Sequence, residues 1–237
     1  MNSPQKTARI AAALYLIITV AAIIAHMYVP GELIVAGDAG ATASNIAASE
    51  SLFRFGMVGG EIVILLSEII LSILLYVLLK PVNKTLSLIA AVSRLAMTTI
   101  HGLNLLNYYF VLNLLNGDYL AVFSPEQINA LVTFFLEAHS YGFTLGIAFL
   151  VPHVLILGYL IFASGYFPKV LGILFILAGF GYLFDMVGLL MIPSYQTTPG
   201  IIMMVISVAE IAFPVWLLVK GVKLDGWQKR TLALETA

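Results

Sequence analysis

The sequence predicts an all-α fold, a polytopic transmembrane bundle of six helices. Hydrophobic residues make up 61% of the 237-residue chain, charged residues only 10%, and the mean hydropathy is +1.04. Soluble domains contain roughly 45 to 50% apolar residues, so this composition is typical of an integral membrane protein. Six apolar runs are each long enough to cross the ~30 Å hydrocarbon core of a bilayer, and stretches rich in Gly, Pro and Asn separate them.

The six predicted spans lie at about 8–28, 53–79, 85–113, 129–163, 168–191 and 199–219. The first follows Lys6 and Arg9 but is longer than the apolar core of a signal peptide, so we predict a retained helix. The fourth is long and contains Pro152, which predicts one kinked or tilted helix rather than two spans. We expect residues 1–223 to form a single domain and residues 224–237 a short cytoplasmic tail.

Three helical hairpins could make up the bundle, because the chain repeats weakly at a spacing of about 80 residues. The first, third and fifth spans begin with similar apolar segments. The second, fourth and sixth carry Glu61, Glu137 and Glu210. The alternative is that segments composed largely of Ala, Ile, Leu and Gly match one another by chance.

Basic residues indicate the orientation of the spans. Nine of the 11 Lys and Arg residues fall on one side: Lys6, Arg9, Lys80, Lys84, Lys169, Lys220, Lys223, Lys229 and Arg230. Acidic residues crowd the loops of the other side: Glu32, Asp38, Glu50, Asp118 and Glu126. Because Lys and Arg collect on cytoplasmic loops, we expect both termini in the cytoplasm.

Composition also excludes several classes of function. The chain has no cysteine, which excludes disulfides, thiolate zinc sites, iron-sulfur clusters and a cysteine nucleophile. It has no basic cluster interleaved with aromatic residues, so nucleic acid is not an expected partner. The expected partners are membrane lipid and, since six spans would suit some functions better as a dimer, a second copy of the chain.

Five carboxylates lie inside the predicted spans: Glu61, Glu68, Glu137, Asp185 and Glu210. Only Arg94 and a few histidines could offset them. A charged side chain at the bilayer centre costs about 3 kcal/mol even on lenient insertion scales. The five acids must therefore be protonated, solvated, paired or bound to a cation, which makes them the main candidates for a functional site.

Polar residues of the third span share one face. Arg94, His101 and Tyr108 are seven residues apart and so drift only about 20° from one to the next around the helix. Glu61 and Glu68 have the same spacing on the second span. We therefore expect Glu68 and Arg94 to form an ion pair, which could fix the helix register or could take part in chemistry.

Most of the polar residues within the spans fall in the outer half of the bilayer, which predicts a cavity open to the outside. The candidate catalytic residues are Glu61, His101, Asp185 and Glu210. The candidate substrate-binding residues are Asn104, Tyr108, Glu137 and Tyr182. His101 and His139 with one carboxylate could also hold a zinc ion, although the sequence has no His-x-x-x-His motif.

The first hypothesis for function is an intramembrane enzyme that acts on a lipid or isoprenoid. Buried carboxylic acids could protonate an alkene, an epoxide or an ester oxygen. A proton-coupled transporter or small-ligand binder is an alternative, as is a structural or regulatory protein whose polar residues only lock helices together. A b-type haem protein is another, because His139 and His153 are fourteen residues apart and His26 and His101 could supply the opposite ligands. The residues themselves identify no cofactor.

Three segments resemble a known family. They are Ala8-Arg9-Ile10-Ala11 with Leu14-Tyr15, Ala138-His139-Ser140, and Phe167-Pro168-Lys169-Val170-Leu171-Gly172. They are similar to segments of a bacterial family of uncharacterised six-helix integral membrane proteins, described as a domain of unknown function. The resemblance covers nearly the whole chain and implies six spans and a multi-pass location in the bacterial plasma (inner) membrane. It implies no activity and no catalytic residues.

Overall fold

The computed structural model describes residues 3–117, 121–195 and 197–235. This part of the chain is helical and contains no strand, and six of its helices are long and apolar enough to cross a membrane. The prediction of an all-α protein with six spans is therefore confirmed. Asp118, which we placed in an acidic outer loop, lies outside the described residues.

The six spans are α1, α3, α4, α5, α6 and α7, and two shorter helices, α2 and α8, accompany them. Their bounds in chain order are α1 Pro4–Leu33, α2 Ala39–Ala48, α3 Glu50–Leu79, α4 Lys84–Asn116, α5 Pro125–Ser164, α6 Lys169–Met191, α7 Gly200–Val219 and α8 Leu224–Glu235. Pro152 lies within α5, which continues through it as one helix. The helix α8 occupies most of the predicted tail.

The six spans differ in length, and only some of them match the thickness of the hydrocarbon core of a membrane. The first four contain 30, 30, 33 and 40 residues, whereas α6 and α7 contain 23 and 20. At about 1.5 Å per residue, the first four are roughly 45 to 60 Å long, and the last two roughly 30 to 35 Å. Only α6 and α7 match the ~30 Å hydrocarbon core without strong tilt or projection beyond it.

Contacts between residues divide the chain into two compact units. The first unit comprises Met1–Leu16, Ser67–Thr98 and Thr144–Ala237, and the second comprises Ile17–Leu66 and Thr99–Phe143. The helices α6, α7 and α8 belong wholly to the first unit, and α2 belongs to the second. Whether residues 1–223 behave as a single domain stays a prediction.

Aromatic rings and close helix packing build the first unit. Phe213 is fully buried and meets the rings of Tyr15, Phe167 and Phe175 edge-on. At Gly158 on α5 and Gly172 on α6 the two backbones come so close that a Cβ added at either glycine would overlap the other helix. Small residues at such crossings allow membrane helices to gain packing contacts.

The helix α8 is fixed to the first unit through the carboxyl ends of two spans. The Tyr166 hydroxyl and the Trp227 indole N–H both donate to the carbonyl oxygen of Leu78, at 2.7 and 3.2 Å. Arg230 donates to the carbonyl oxygen of Ala163 at 2.9 Å. The last carbonyls of a helix have no partner within it, so these contacts satisfy groups that α3 and α5 leave exposed.

An apolar core built from α1 to α5 holds the second unit together. It contains Val29, Leu33, Ala43, Ile46, Phe53, Met57, Tyr108, Val111, Leu112, Leu114, Ile128 and Val132. Asp38 begins α2 by accepting a hydrogen bond from the backbone N–H of Ala41 at 2.8 Å, which is a helix N-cap.

Two spans contain a π-helical turn inside this unit. One is Ile23–Tyr28 in α1 and the other is Phe53–Val58 in α3, and the two turns pack against each other. In α4 regular helix is interrupted at Leu105. A π turn accommodates one extra residue, and such turns occur frequently at functional sites.

Candidate functional site

The predicted site residues are distributed over both units. The second unit holds Glu61, His101, Asn104, Tyr108, Glu137 and His139. The first unit holds Glu68, Arg94, Tyr182, Asp185 and Glu210. Within each unit, contacts join some of these residues and leave others apart.

In the second unit, Glu61 is paired with His26. The His26 Nε2 atom lies 2.5 Å from Glu61 Oε1. The Glu61 side chain is only 3% exposed, whereas that of His26 is 30% exposed. The pair therefore connects a buried carboxyl group to the surface of the unit through an imidazole.

Two more histidines surround this pair. His101 and His139 are both buried, and both interact electrostatically with Glu61. We call His26, Glu61, His101, Asn104, Tyr108 and His139 the histidine cluster. Glu61 is the single carboxylate of this cluster. Only one negative charge is therefore available to interact with its three imidazoles.

The His101 ring is held by Phe143. Its Nε2 donates to the Phe143 carbonyl oxygen at 3.0 Å, which places a proton on that nitrogen. The two rings stack with centroids 4.5 Å apart and planes 13° from parallel. The ring of Phe143 also meets His26 edge-on at 5.1 Å. One aromatic side chain thus orients two of the three imidazoles.

The His139 ring is held by α4. It stacks on Tyr108 with centroids 3.8 Å apart, and Asn104 donates to the His139 carbonyl oxygen at 2.8 Å. Asn107 donates to the Asn104 Oδ1 atom at 2.9 Å, which fixes the amide orientation. Gly142 allows this contact, because a Cβ there would overlap the Asn104 side chain.

The irregular turns place these residues. His26 lies within the π turn of α1, Glu61 follows the π turn of α3 by three residues, and Asn104 precedes the interruption of α4. The π turns of α1 and α3 change which face of the helix the next residues occupy. Two helices are thus locally distorted next to one polar cluster.

Histidine and carboxylate are also zinc ligands. Among the described residues, however, no group of three or more His, Asp or Glu side chains is arranged so that it could hold a metal ion. His101 instead uses its Nε2 for a hydrogen bond to backbone.

In the first unit, Glu68 and Arg94 form the ion pair that their sequence positions suggested. Arg94 Nη2 donates to Glu68 Oε1 at 2.8 Å, and Arg94 Nε donates to Glu68 Oε2. The guanidinium and the carboxylate therefore interact through two parallel hydrogen bonds, the strongest geometry for such a pair. Both side chains are about 5% exposed.

Tyr15 and His153 complete what we call the arginine cluster, with Glu68 and Arg94. Arg94 Nη1 donates to the Tyr15 hydroxyl at 3.4 Å and to His153 Nε2 at 2.9 Å. The other ring nitrogen of His153 donates to the carbonyl oxygen of Ala90 at 2.9 Å. His153 is therefore a neutral imidazole with both nitrogens in use, an arrangement that offers no lone pair to a haem iron.

Two of the three remaining candidate acids, Asp185 and Glu210, have a tyrosine as hydrogen-bond partner. Tyr182 donates a hydrogen bond to Glu210, which also interacts electrostatically with Arg94. The Tyr195 hydroxyl donates to Asp185 Oδ1 at 2.7 Å. Glu137 is exposed on the surface of α5.

Sequence reasoning missed three of the residues that form these clusters. The sequence indicates His26 only as a haem ligand, and it does not link Tyr15 or His153 to Arg94. Tyr15 is on the face of α1 that holds the buried alanines Ala8, Ala11 and Ala12, and this pattern was a usable signal. For His26 no such signal exists, because its position depends on the π turn.

Comparisons with known proteins place the chain in a family. An "Uncharacterized protein" from Archaeoglobus fulgidus is 30% identical to it over 168 residues, which cover 70% of this chain and 84% of the relative. No solved structure matches the chain. The sequence profile described as "Domain of unknown function (DUF4386)" matches residues 10–221, nearly the whole membrane-spanning region. The resemblance noted in the sequence is thereby confirmed, and the chain belongs to the DUF4386 family of integral membrane proteins.

Proposed function

We propose that this protein is an intramembrane enzyme whose proton donor and acceptor is the His26–Glu61 pair, acting on a lipid or isoprenoid substrate. The observation that carries the proposal is the pairing itself, a carboxyl group 3% exposed and 2.5 Å from an imidazole that is 30% exposed. The proposed location is the inner membrane of a bacterium, with both termini in the cytoplasm. The spanning helices support contact with lipid.

The pair has the chemistry of a general acid. Glu61 Oε1 and His26 Nε2 lie 2.5 Å apart, so a proton can pass directly between the carboxyl group and the imidazole. A protonated Glu61 can transfer that proton to an alkene, an epoxide or an ester oxygen of a membrane-dissolved substrate. His26, at the surface of the unit, then takes up a proton from water and passes it to the Glu61 carboxylate.

The other members of the histidine cluster support this role. His101 and His139 are oriented by stacking on Phe143 and Tyr108, and Asn104 links α4 to α5. We assign His101 to the reaction beside Glu61, and Asn104 and Tyr108 to the substrate side. Asp185 and Glu210 have no part in this proposal, because each is hydrogen-bonded to a tyrosine of the first unit.

The proposal is tested by lipid turnover. Purified protein is incubated with a total lipid extract of the host membrane, and substrate loss and product gain are followed by mass spectrometry. We expect Glu61→Gln to abolish turnover and His26→Ala to slow it by about 10²- to 10⁴-fold, the usual contribution of acid–base catalysis. Glu32→Gln is the matched control, since Glu32 is an exposed carboxylate of the same helix as His26.

Each other outcome favours a different function. If no lipid changes but proteoliposomes take up protons in a way that Glu61→Gln prevents, the protein is a proton-coupled transporter. If neither turnover nor proton uptake occurs, the polar clusters have only a structural role. Turnover that survives in Glu61→Gln would contradict the proposal directly.

A further inference from the structure

A groove lies at the start of α1, in the first unit. It has a volume of about 480 Å³ and is lined by Ser3, Gln5, Lys6, Arg9, Ile10, Ala13 and Leu14. Lys6, Arg9, Ile10 and Ala13 are exposed in it. The opposite face of the same helix is buried, so the groove is an outward-facing strip and not part of the packed interior.

Hydrogen bonds fix the start of α1, where the groove lies. The Gln5 side chain donates to the Val222 carbonyl oxygen at 2.8 Å and accepts from the Val222 backbone N–H at 3.0 Å. Both bonds join the start of α1 to the turn between α7 and α8. That turn also contains Lys220 and Lys223, so the basic residues of the groove belong to a larger positive region.

The chemistry of the groove changes along its length. Lys6 and Arg9 lie toward its beginning, and Ile10, Ala13 and Leu14 continue from them along one side of the helix. From Lys6 to Ala13 the helix rises by about 10 Å, at 1.5 Å per residue. The groove therefore offers two cationic donors followed by an apolar surface directed into the membrane.

We propose that this groove binds one anionic glycerophospholipid, with the phosphate against Lys6 and Arg9 and an acyl chain over Ile10, Ala13 and Leu14. Charge complementarity favours an anionic lipid over a zwitterionic one, because the phosphate charge of the anionic lipid is not offset by an ammonium group on the headgroup. Long basic side chains at the ends of membrane helices can reach the headgroup level while their stems cover apolar surface. The proposal is independent of the reaction proposed for Glu61.

Lipid binding to the purified full chain tests this proposal. Native mass spectrometry is used to titrate the protein in detergent with dioleoylphosphatidylglycerol and, separately, with dioleoylphosphatidylcholine, which has the same acyl chains. We expect tighter binding of the anionic lipid. The Lys6→Gln, Arg9→Gln double variant should lower its affinity roughly 30-fold, equivalent to about 2 kcal/mol, and should weaken binding of the zwitterionic lipid much less, because the choline ammonium offsets the charge of its phosphate.

Two further variants separate the groove from general charge effects. Ala13→Trp fills the apolar part without altering charge, and we expect it to weaken binding of both lipids. Lys84→Gln removes an exposed basic residue of the same unit outside the groove, and we expect no change. Equal affinity of the two lipids for the unmodified protein would overturn the proposal. So would anionic-lipid binding that survives the double variant, or that Lys84→Gln reduces as strongly.

Discussion

All three guanidinium nitrogens of Arg94 have a hydrogen-bond partner. This residue is 5% exposed, pairs with Glu68, and donates to Tyr15 and His153. A buried ion pair adds little net stability compared with apolar residues, but breaking it leaves an uncompensated charge in the interior. The pair therefore acts mainly as a constraint on which helix faces meet.

Replacement of one partner should cost more than replacement of both. We expect Arg94→Ala to lower the free energy of unfolding by about 3 to 5 kcal/mol, because Glu68 remains buried without a partner. Arg94→Ala combined with Glu68→Gln should recover part of that loss. Thermal unfolding in detergent measures both, and equal losses in the single and double variants would show that the two residues are not coupled.

Glu61 should behave differently, because in our proposal it serves the reaction rather than the fold. Glu61→Gln keeps the size of the side chain and an oxygen that can bond to His26. We expect the unfolding free energy to change by less than about 1 kcal/mol, within the range of a typical hydrogen bond, while turnover is lost. The same thermal measurement checks this, with Arg94→Ala as the comparison. A loss as large as that of Arg94→Ala would indicate a structural role.

The two pairs also differ in how far sequence could identify them. Glu68 and Arg94 follow from charge and a seven-residue spacing on neighbouring spans, because regular helices preserve that spacing as a common face. The His26–Glu61 pair does not follow, because a π turn precedes or contains each residue and changes the face that it occupies. The 3.6-residue periodicity of a regular α-helix does not reveal where a π turn inserts an extra residue.

At the level of helices, hydropathy located the spans well and their ends less well. The predicted ends at 79, 191 and 219 are those observed. The beginnings of α1, α3 and α5 lie three to four residues earlier than predicted, where polar residues such as Glu50 and Glu126 still belong to the helix. The helix α2 was missed because Gly37 and Gly40 indicated a turn, although Asp38 caps a helix there.

The crossing of α5 and α6 should be sensitive to a single methyl group. A Cβ at Gly172 would lie 2.6 Å from both the Gly158 oxygen and the Phe162 nitrogen, which are backbone atoms and cannot rotate away. We expect Gly172→Ala to destabilise the protein by about 1 to 3 kcal/mol. Thermal unfolding in detergent provides the measurement.

Gly200→Ala is the matched control for that substitution. Gly200 begins α7 and has no atom within 4 Å of an added Cβ. We expect the Gly200→Ala variant to unfold at a temperature close to that of the unmodified protein, since the added methyl group makes no new contact. Similar losses at both glycines would mean that helix packing at Gly172 is not the cause.

For the whole molecule, the distribution of basic residues predicts the orientation in the membrane. The chain contains no cysteine, so a single introduced thiol can be labelled without background. We expect Glu32→Cys to react in intact cells with a membrane-impermeant maleimide, and Lys84→Cys to react only after the cells are opened. Both positions are exposed in the structure. The opposite labelling pattern would reverse the predicted topology.

Whole-chain properties were the most predictable part of this protein, and the chemistry of its clusters the least. Hydropathy is averaged over about twenty residues, so a few atypical residues do not change the predicted number of spans. A site depends on individual side chains from several helices, such as Glu61, His101 and His139, and on local backbone irregularities. Those cannot be derived from averaged properties.

The π turns of α1 and α3 also bear on how such a site could be gained or lost during evolution. Each holds one residue more than an α-helical turn, so deletion of a single codon within Ile23–Tyr28 or Phe53–Val58 would restore regular helix. The parts of the helix on either side would then rotate by about 100° relative to each other. A homologue with such a deletion would retain six spans and an unchanged hydropathy profile, yet His26 and Glu61 would no longer face one another. Alignments of this family should therefore be read for single-residue gaps at these two positions before any shared activity is assumed.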